Sequence, residues 1–267
     1  DVISQPSISW QRMYNGPFNS DDYATDICEV SPENFCVTGF TEGKLYVLKI
    51  NSEGDTIWTR FYNNFVVGNS YVSAVETNDG GCVITVGGYV LKIDHLGNIV
   101  WQTNYVEGWY DIIRTNDNGY IACGNWYIVK LDSGGNTVWL KSYFSGFPRY
   151  YKTIITANDG GFLAAGVIVD FQYDTSKCLL TRINDTGGVV WEKKYRLDNR
   201  HAGIECITSI NNGYAIAGNT DDTIINNGVF SNTFFGRTDN SGNLVYKKIY
   251  FTDRSEYMQD MKKTNDN

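Results

Sequence analysis

Residues 90–93 (VLKI) and 99–105 (IVWQTNY) are two short, mostly apolar and aromatic runs, with the more polar Asp94-His95-Leu96-Gly97-Asn98 between them. Two such strand-like runs around a Gly-bearing turn predict a β-hairpin. Asp94 can cap the backbone N–H groups of the turn, and Gly97 can take the positive φ of a bulged turn. The pattern recurs from Lys49 through Trp58 to Tyr62, from Lys130 through Trp139 to Tyr143, from Arg182 through Trp191 to Tyr195, and from Arg237 through Tyr246 to Tyr250. The basic residue precedes the Trp or Tyr by nine positions in every copy, and the final Tyr follows four later. Composition alone does not produce such spacing, so the chain is a repeat.

A second motif precedes each hairpin: an Asn/Asp/Gly turn, then an apolar strand ending on small residues. Asn78-Asp79-Gly80-Gly81 leads into CVITVG, Asn116-Asp117-Asn118-Gly119 into YIACG, and Asn158-Asp159-Gly160-Gly161 into FLAAG. Ser31-Pro32-Glu33-Asn34 and Asn211-Asn212-Gly213 open the equivalent strands of the first and last copies. Before each turn lies another strand, at 23–30, 71–77, 110–115, 151–157 and 203–210. Each unit is therefore a four-stranded antiparallel meander of strands a, b, c and d, and the basic residue recurs every 38 to 55 positions. Four strands at that period predict an all-β fold, a β-propeller. A solenoid repeats in fewer residues, and a sandwich does not repeat.

The reading is one β-propeller domain over 1–267, with blades at 15–62, 63–105, 106–143, 144–195 and 196–250. Residues 7–14 read as a lone strand d. Residues 251–267 read as a lone strand a, stopping in a turn motif, Thr264-Asn265-Asp266-Asn267, that lacks its glycine. With five complete blades and two partial ones, the chain is expected to belong to a longer protein whose ring has six or seven blades. Asp1 is expected to be a processed or trimmed end. The a–b and c–d turns, which hardly vary, share one face of each blade. The b–c and d–a connections share the other, and they are longest in the last two copies, as expected of a binding face.

Composition narrows the function. The net charge of −8 excludes nucleic acid and anionic membrane surfaces as natural partners. No apolar run is long enough to span a bilayer, so direct membrane insertion is not expected. The six cysteines form no CxxC pair and have no nearby His, which argues against a zinc site. Aligning the first a–b turn with the second places Cys28 opposite Val37 and Cys36 opposite Glu29. The two thiols then face opposite sides of the sheet, and six buried free cysteines are expected. Of the two histidines, His95 sits in a c–d turn and His201 in a d–a loop, and neither completes a catalytic triad or a metal site. Trp58, Trp101, Trp139 and Trp191 are expected in the core, and Asp79, Asp94, Asp132 and Asp159 as turn caps.

The repeat, DGG-aromatic…A-G…K-[ILT]-D-x-x-G-N-x-x-W-x-x-x-Y, resembles propeller repeats of secreted and surface proteins of Bacteroidota, which are often type IX secretion cargo. The resemblance covers essentially the whole chain and implies a secreted or cell-surface protein on the outer-membrane exterior of a Gram-negative bacterium. It implies no ligand, because its residues form turns and pack blades. Sialidase Asp-boxes differ, since here Gly follows Asp94 by three positions and Trp by seven. Quinoprotein propeller motifs carry a Thr that this repeat lacks, and no vicinal Cys pair is present. No cofactor is expected.

The expected function is a noncatalytic binding or structural module. Its partner would be a protein or glycan on the b–c/d–a loop face, with secretion-machinery proteins among the candidates. The residues assigned to that surface are Phe65, Trp109, Phe147, Arg149, Phe171, Tyr173, Asp221 and Asp222, with Phe18 and Phe230 beside them. Asp170 and Asp174 are read as loop acids rather than calcium ligands. The alternative is a polysaccharide-acting enzyme, a glycosidase or lyase, or a quinoprotein. An enzyme would converge Asp, Glu, Tyr or His from several strands a, where Asp26, Glu29, Glu76, Asp111, Glu205 and Asp260 fall in scattered registers.

Overall fold

The computed structural model describes residues 10–16, 18, 20–67, 71–197, 201–225, 228–251 and 255–263. Among them there is no helix, and the strands form five four-stranded antiparallel meanders. The first sheet is β1 (Asp22–Ser31), β2 (Asn34–Thr41), β3 (Lys44–Asn51) and β4 (Thr56–Val66). The second is β5 (Val72–Glu76), β6 (Cys82–Val86), β7 (Tyr89–Ile93) and β8 (Ile99–Asn104). β9 (Trp109–Arg114), β10 (Tyr120–Gly124), β11 (Tyr127–Leu131) and β12 (Thr137–Ser142) make the third. β13 (Arg149–Thr156), β14 (Phe162–Asp170), β15 (Thr175–Ile183) and β16 (Val189–Tyr195) make the fourth. The fifth is β17 (His201–Ile210), β18 (Gly213–Ile225), β19 (Gly228–Thr238) and β20 (Leu244–Tyr250). Two compact units, Asp1–Val106 and Glu107–Asn267, hold two and three of these blades.

Burial explains the apolar runs. Every residue of β6 and β10 is buried, because strands b lie mid-sheet and are covered on both faces. Strands d such as β8 and β12, at the edge of their sheets, are largely exposed and carry more polar residues. The small residue ending strand b has a backbone reason. A Cβ on Gly166 would lie 1.9 Å from the carbonyl oxygen of Tyr150, beside a bulge in β13 between Tyr151 and Thr153.

The repeat's aromatic pair joins neighbouring blades. In the first unit, Trp58 Nε1 donates to the His95 carbonyl at 2.9 Å and Tyr62 Oη to the Gly97 carbonyl at 2.7 Å. In the second, Tyr143 Oη donates to the Gly187 carbonyl at 2.9 Å, and Tyr195 Oη to that of Gly242. Trp58, Trp139 and Trp191, expected in the core, pack against it from its edge and stay half-buried; Trp101 is half-buried too. Trp58, lying over the next blade's c–d turn, keeps one edge in solvent. Asp94 and Asp132 cap the c–d turns, and Asp79, whose carboxylate also takes a backbone hydrogen bond from Gly81 in its own turn, shares a further role with Asp159. Both pair with strand c, Asp79 to Lys92 and Asp159 to Arg182, each at 2.7 Å, and Asp117 pairs with Lys130 at 2.8 Å. In the second, third and fourth copies the recurrent basic residue is thus the partner of the preceding turn's acid, whereas Lys49 donates to the carbonyls of Gly80 and His95.

The cysteine register also differs from expectation. Cys28 pairs directly with Cys36, because a bulge between Glu29 and Ser31 moves the ladder by one residue. The two thiols therefore share a face, although all six cysteines are free. At the start of the described chain, Trp10 Nε1 donates to the Ser52 carbonyl at 2.8 Å and Tyr14 Oη to that of Gly54 at 2.7 Å. Trp10 and Tyr14 thus dock on β3–β4 as a strand d docks on its neighbour, without forming a ladder; residues 7–9 lie outside the described residues. Residues 255–263 form no strand. They attach through Glu256 N to the Ser231 carbonyl at 2.9 Å and Met258 N to Asn219 Oδ1 at 2.7 Å. The turn motif at 264–267 lies outside the described residues.

Candidate functional site

The variable face is built by strand extension. β14 and β15 have nine residues each, against five in β6 and β10. Four extra residues at roughly 3.3 Å each carry the tip of this hairpin about 13 Å farther out. That tip presents Phe171, 73% exposed, and Tyr173, 66% exposed. Asp170 Oδ1 accepts from Gln172 N at 3.1 Å and holds the turn, while Asp174 takes a φ of 49°. His201 Nε2 lies 3.8 Å from Asp174.

Below the tip is a cleft of about 100 Å³ lined by Phe147, Ile168, Val169, Asp170, Thr175, Lys177 and Lys194. Small-molecule pockets start at about 300 Å³. The cleft suits one inserted side chain rather than a cofactor. Phe147 forms an exposed apolar wall and the two lysines a basic rim. Beside the rim, Glu192 accepts from the buried Arg149 and lies 3.1 Å from Lys194.

The residues assigned from sequence separate accordingly. Phe147, Phe171 and Tyr173 come together on this end of the fourth blade. Arg149 does not join them at the surface. It starts β13 with 5% exposure, its guanidinium donating to Glu192, Ser145 and Tyr151. Phe65 is buried because β4 runs past Tyr62 as far as Val66, placing the ring 5.0 Å from that of Tyr89. Trp109 is fully buried, as the first residue of β9 rather than part of a loop. Asp221 and Asp222 lie within β18, where Asp221 pairs with His201 and Ser231, and not in a loop; their side chains lie outside the described residues. Phe18 is partly exposed and packs edge-on against Phe61. The side chain of Phe230 lies outside the described residues.

One grouping was missed. Tyr110, Lys152 and Glu205 occupy equivalent positions in three successive strands a, each six residues before the Asn that opens the a–b turn, and in each ladder that residue is the bulge. Lys152 Nζ sits 4.1 Å from the centre of the Tyr110 ring. Burial pushes the Lys152 ammonium down and the Glu205 carboxyl up, and the attraction between the two opposes both shifts. The shared spacing from the turn was the available signal. Asp111, the next residue after Tyr110, is committed to structure: its carboxylate accepts from its neighbour Ile112 N at 2.8 Å and from Ile154 N of the next blade at 2.9 Å. Among the described residues, no group of three His, Cys, Asp or Glu side chains is arranged to hold a metal ion.

No family model matches the sequence. No curated protein matches it either. Solved structures do resemble the fold. The Pan2 WD40 domain of Neurospora crassa aligns with a TM-score of 0.60 at 10% identity, over 85% of this chain and 65% of that one. A protein of unknown function from Bacteroides caccae aligns at 0.54 and 12%, over 89% and 85%. BamB from Moraxella catarrhalis aligns at 0.53 and 14%, over 97% and 83%. At such identities the likeness concerns fold alone, and it agrees with the meanders: the chain is an all-β propeller of four-stranded blades. It spans just under two thirds of the Neurospora domain.

Proposed function

We propose that this protein is a noncatalytic binding propeller that recognises a protein or glycan through the loop face of its fourth blade. The observation that carries this reading is a cleft sized for one side chain, walled by the exposed Phe147, below a hairpin tip that exposes Phe171 and Tyr173. Exposed aromatics grouped at a basic rim resemble the anchors of binding interfaces more than a catalytic pocket. A surface-exposed or secreted setting, as an adhesin-like protein or type IX cargo, rests on the repeat resemblance; Asp and Glu outnumber Lys and Arg by 30 to 22, which suits a soluble surface. The test is binding to a glycan array and to outer-membrane fractions, comparing the parent with Phe147→Ala/Phe171→Ala/Tyr173→Ala. Loss of binding with an unchanged melt is expected. Equal binding by the triple variant overturns the assignment of this face.

The second reading, a polysaccharide-acting enzyme, has one observation in its favour: the grouping of Tyr110, Lys152 and Glu205. Hydrolysis by paired carboxylates needs two carboxyl groups across the scissile bond. Glu205 supplies one with a raised pKa, while Asp111 is held by two backbone N–H groups. Polysaccharide cleavage by the parent, lost in Glu205→Gln, would favour this reading over the first.

A further inference from the structure

Three cysteines of the first unit converge. Cys28 on β1 and Cys36 on β2 are direct cross-strand partners. Opposed residues in an antiparallel pair have Cα atoms about 4.5–5.5 Å apart. A disulfide spans Cα separations of about 4.4–6.8 Å, a range that covers directly opposed residues of this kind. Cys82, the first residue of β6 in the second blade, is buried with Cys36 in one apolar cluster, and Cys28 packs against that cluster. Their access to solvent differs: Cys28 is half-buried, while Cys36 and Cys82 are buried.

We propose that Cys28, Cys36 and Cys82 form a thiol–disulfide exchange site whose substrate is a small-molecule or protein disulfide. The Cys28 thiolate, the one a donor can reach, attacks a donor sulfur, forming a mixed disulfide and releasing one donor thiolate. The Cys36 thiolate then attacks the Cys28 sulfur, closing the Cys28–Cys36 bond and expelling the second donor thiolate. The protein loses two protons and two electrons, and the donor disulfide is reduced to two thiols.

The surroundings divide the roles. Cys36 is held below the usual thiol range, first by the hydrogen bond from Cys82, against its own burial, with help from the charge of Lys49 opposite it on β3. Cys82 is pushed well above that range by its contacts with Cys28 and Cys36 and by burial, so it stays protonated and acts as the donor. Cys82 is thus a positioning residue. Cys123, Cys178 and Cys206 are buried in the other unit and have no such arrangement.

The native full chain is incubated with oxidised glutathione, quenched with iodoacetamide and digested without reduction. A Cys28–Cys36 peptide pair is expected in the parent, with Cys123, Cys178 and Cys206 unbridged. Cys36→Ser is expected to stop at a glutathione adduct on Cys28, and Cys28→Ser to lose both adduct and bridge. Cys82→Ala is expected to bridge more slowly, and Cys82→Ser, which keeps a donor, to recover the rate. A parent that stays fully reduced, or that bridges its cysteines at random, overturns the site without recourse to any variant. Equal bridging rates in Cys82→Ala and the parent overturn the role given to Cys82.

Discussion

Trp139, on the third blade's strand d, donates its indole N–H to the carbonyl of Asp185, in the fourth blade's c–d turn, at 3.0 Å. The ring covers Gly187, whose φ is +74° and whose would-be Cβ lies 3.1 Å from Trp139 Cζ3. Two constraints meet at that glycine, a left-handed backbone and a ring overhead. Trp139→Ala is expected to cost about 2–3 kcal/mol, below the range of a fully buried Trp because the ring is half exposed. Gly187→Ala is expected to cost about 1–2 kcal/mol for its backbone alone. Because both substitutions disturb one contact, the double variant should lose less than their sum in urea melts. Strict additivity would separate the ring from the turn.

Asp117 and Lys130 predict a pH dependence. The Lys130 ammonium, with the Thr115 hydroxyl, holds the Asp117 carboxyl down to about 2. A carboxyl depressed by folding contributes stability that is present above its unfolded value near 4 and is lost as pH falls through the folded value. The parent's melting temperature should therefore fall between about pH 4 and pH 2. Asp79, also held at about 2, here by Lys92 and Thr77 against its burial, acts in the same window. Asp117→Asn should melt lower at neutral pH and show a shallower fall across that window. An unchanged slope would remove the pair from the acid response.

Phe65 and Phe171, assigned alike to the binding face from sequence, differ in burial, the first enclosed and the second exposed. Phe65→Ala should cost about 3–5 kcal/mol by emptying a core site, and Phe171→Ala should stay within about 0.5 kcal/mol. Chemical denaturation of the two single variants checks the contrast, and a neutral Phe65→Ala would contradict the extension of β4.

Asp26 ties the first blade to the second, accepting from Ala74 N at 2.8 Å and Ser73 Oγ at 3.0 Å. Asp26→Ala leaves that N–H without its acceptor and should cost about 1–3 kcal/mol. Asp26→Asn, which keeps one oxygen, should recover part of it. Hydrogen exchange at Ala74 is the direct readout: protection should fall in Asp26→Ala and partly return in Asp26→Asn.

The amino-acid sequence by itself determined the blades. Strand period, turn glycines and the Lys–Trp–Tyr spacing act over a few residues each, and five copies made the local signal cumulative. The direction of the variable face was legible too, because insertion length between strands b and c is a property of the chain. Tertiary structure decided which residues reach that face. One bulge at the end of β1 brought Cys28 onto Cys36, and a few extra ladder residues in β4 took Phe65 inside. Arg149 was claimed by Glu192, forty-three positions away. Tyr110, Lys152 and Glu205 share a position within their own blades, yet only the packing of blade against blade makes them neighbours. Ladder register shifts by single residues and partners lie far apart in sequence, so burial and contact at these sites follow from the pairing of strands rather than from any local pattern.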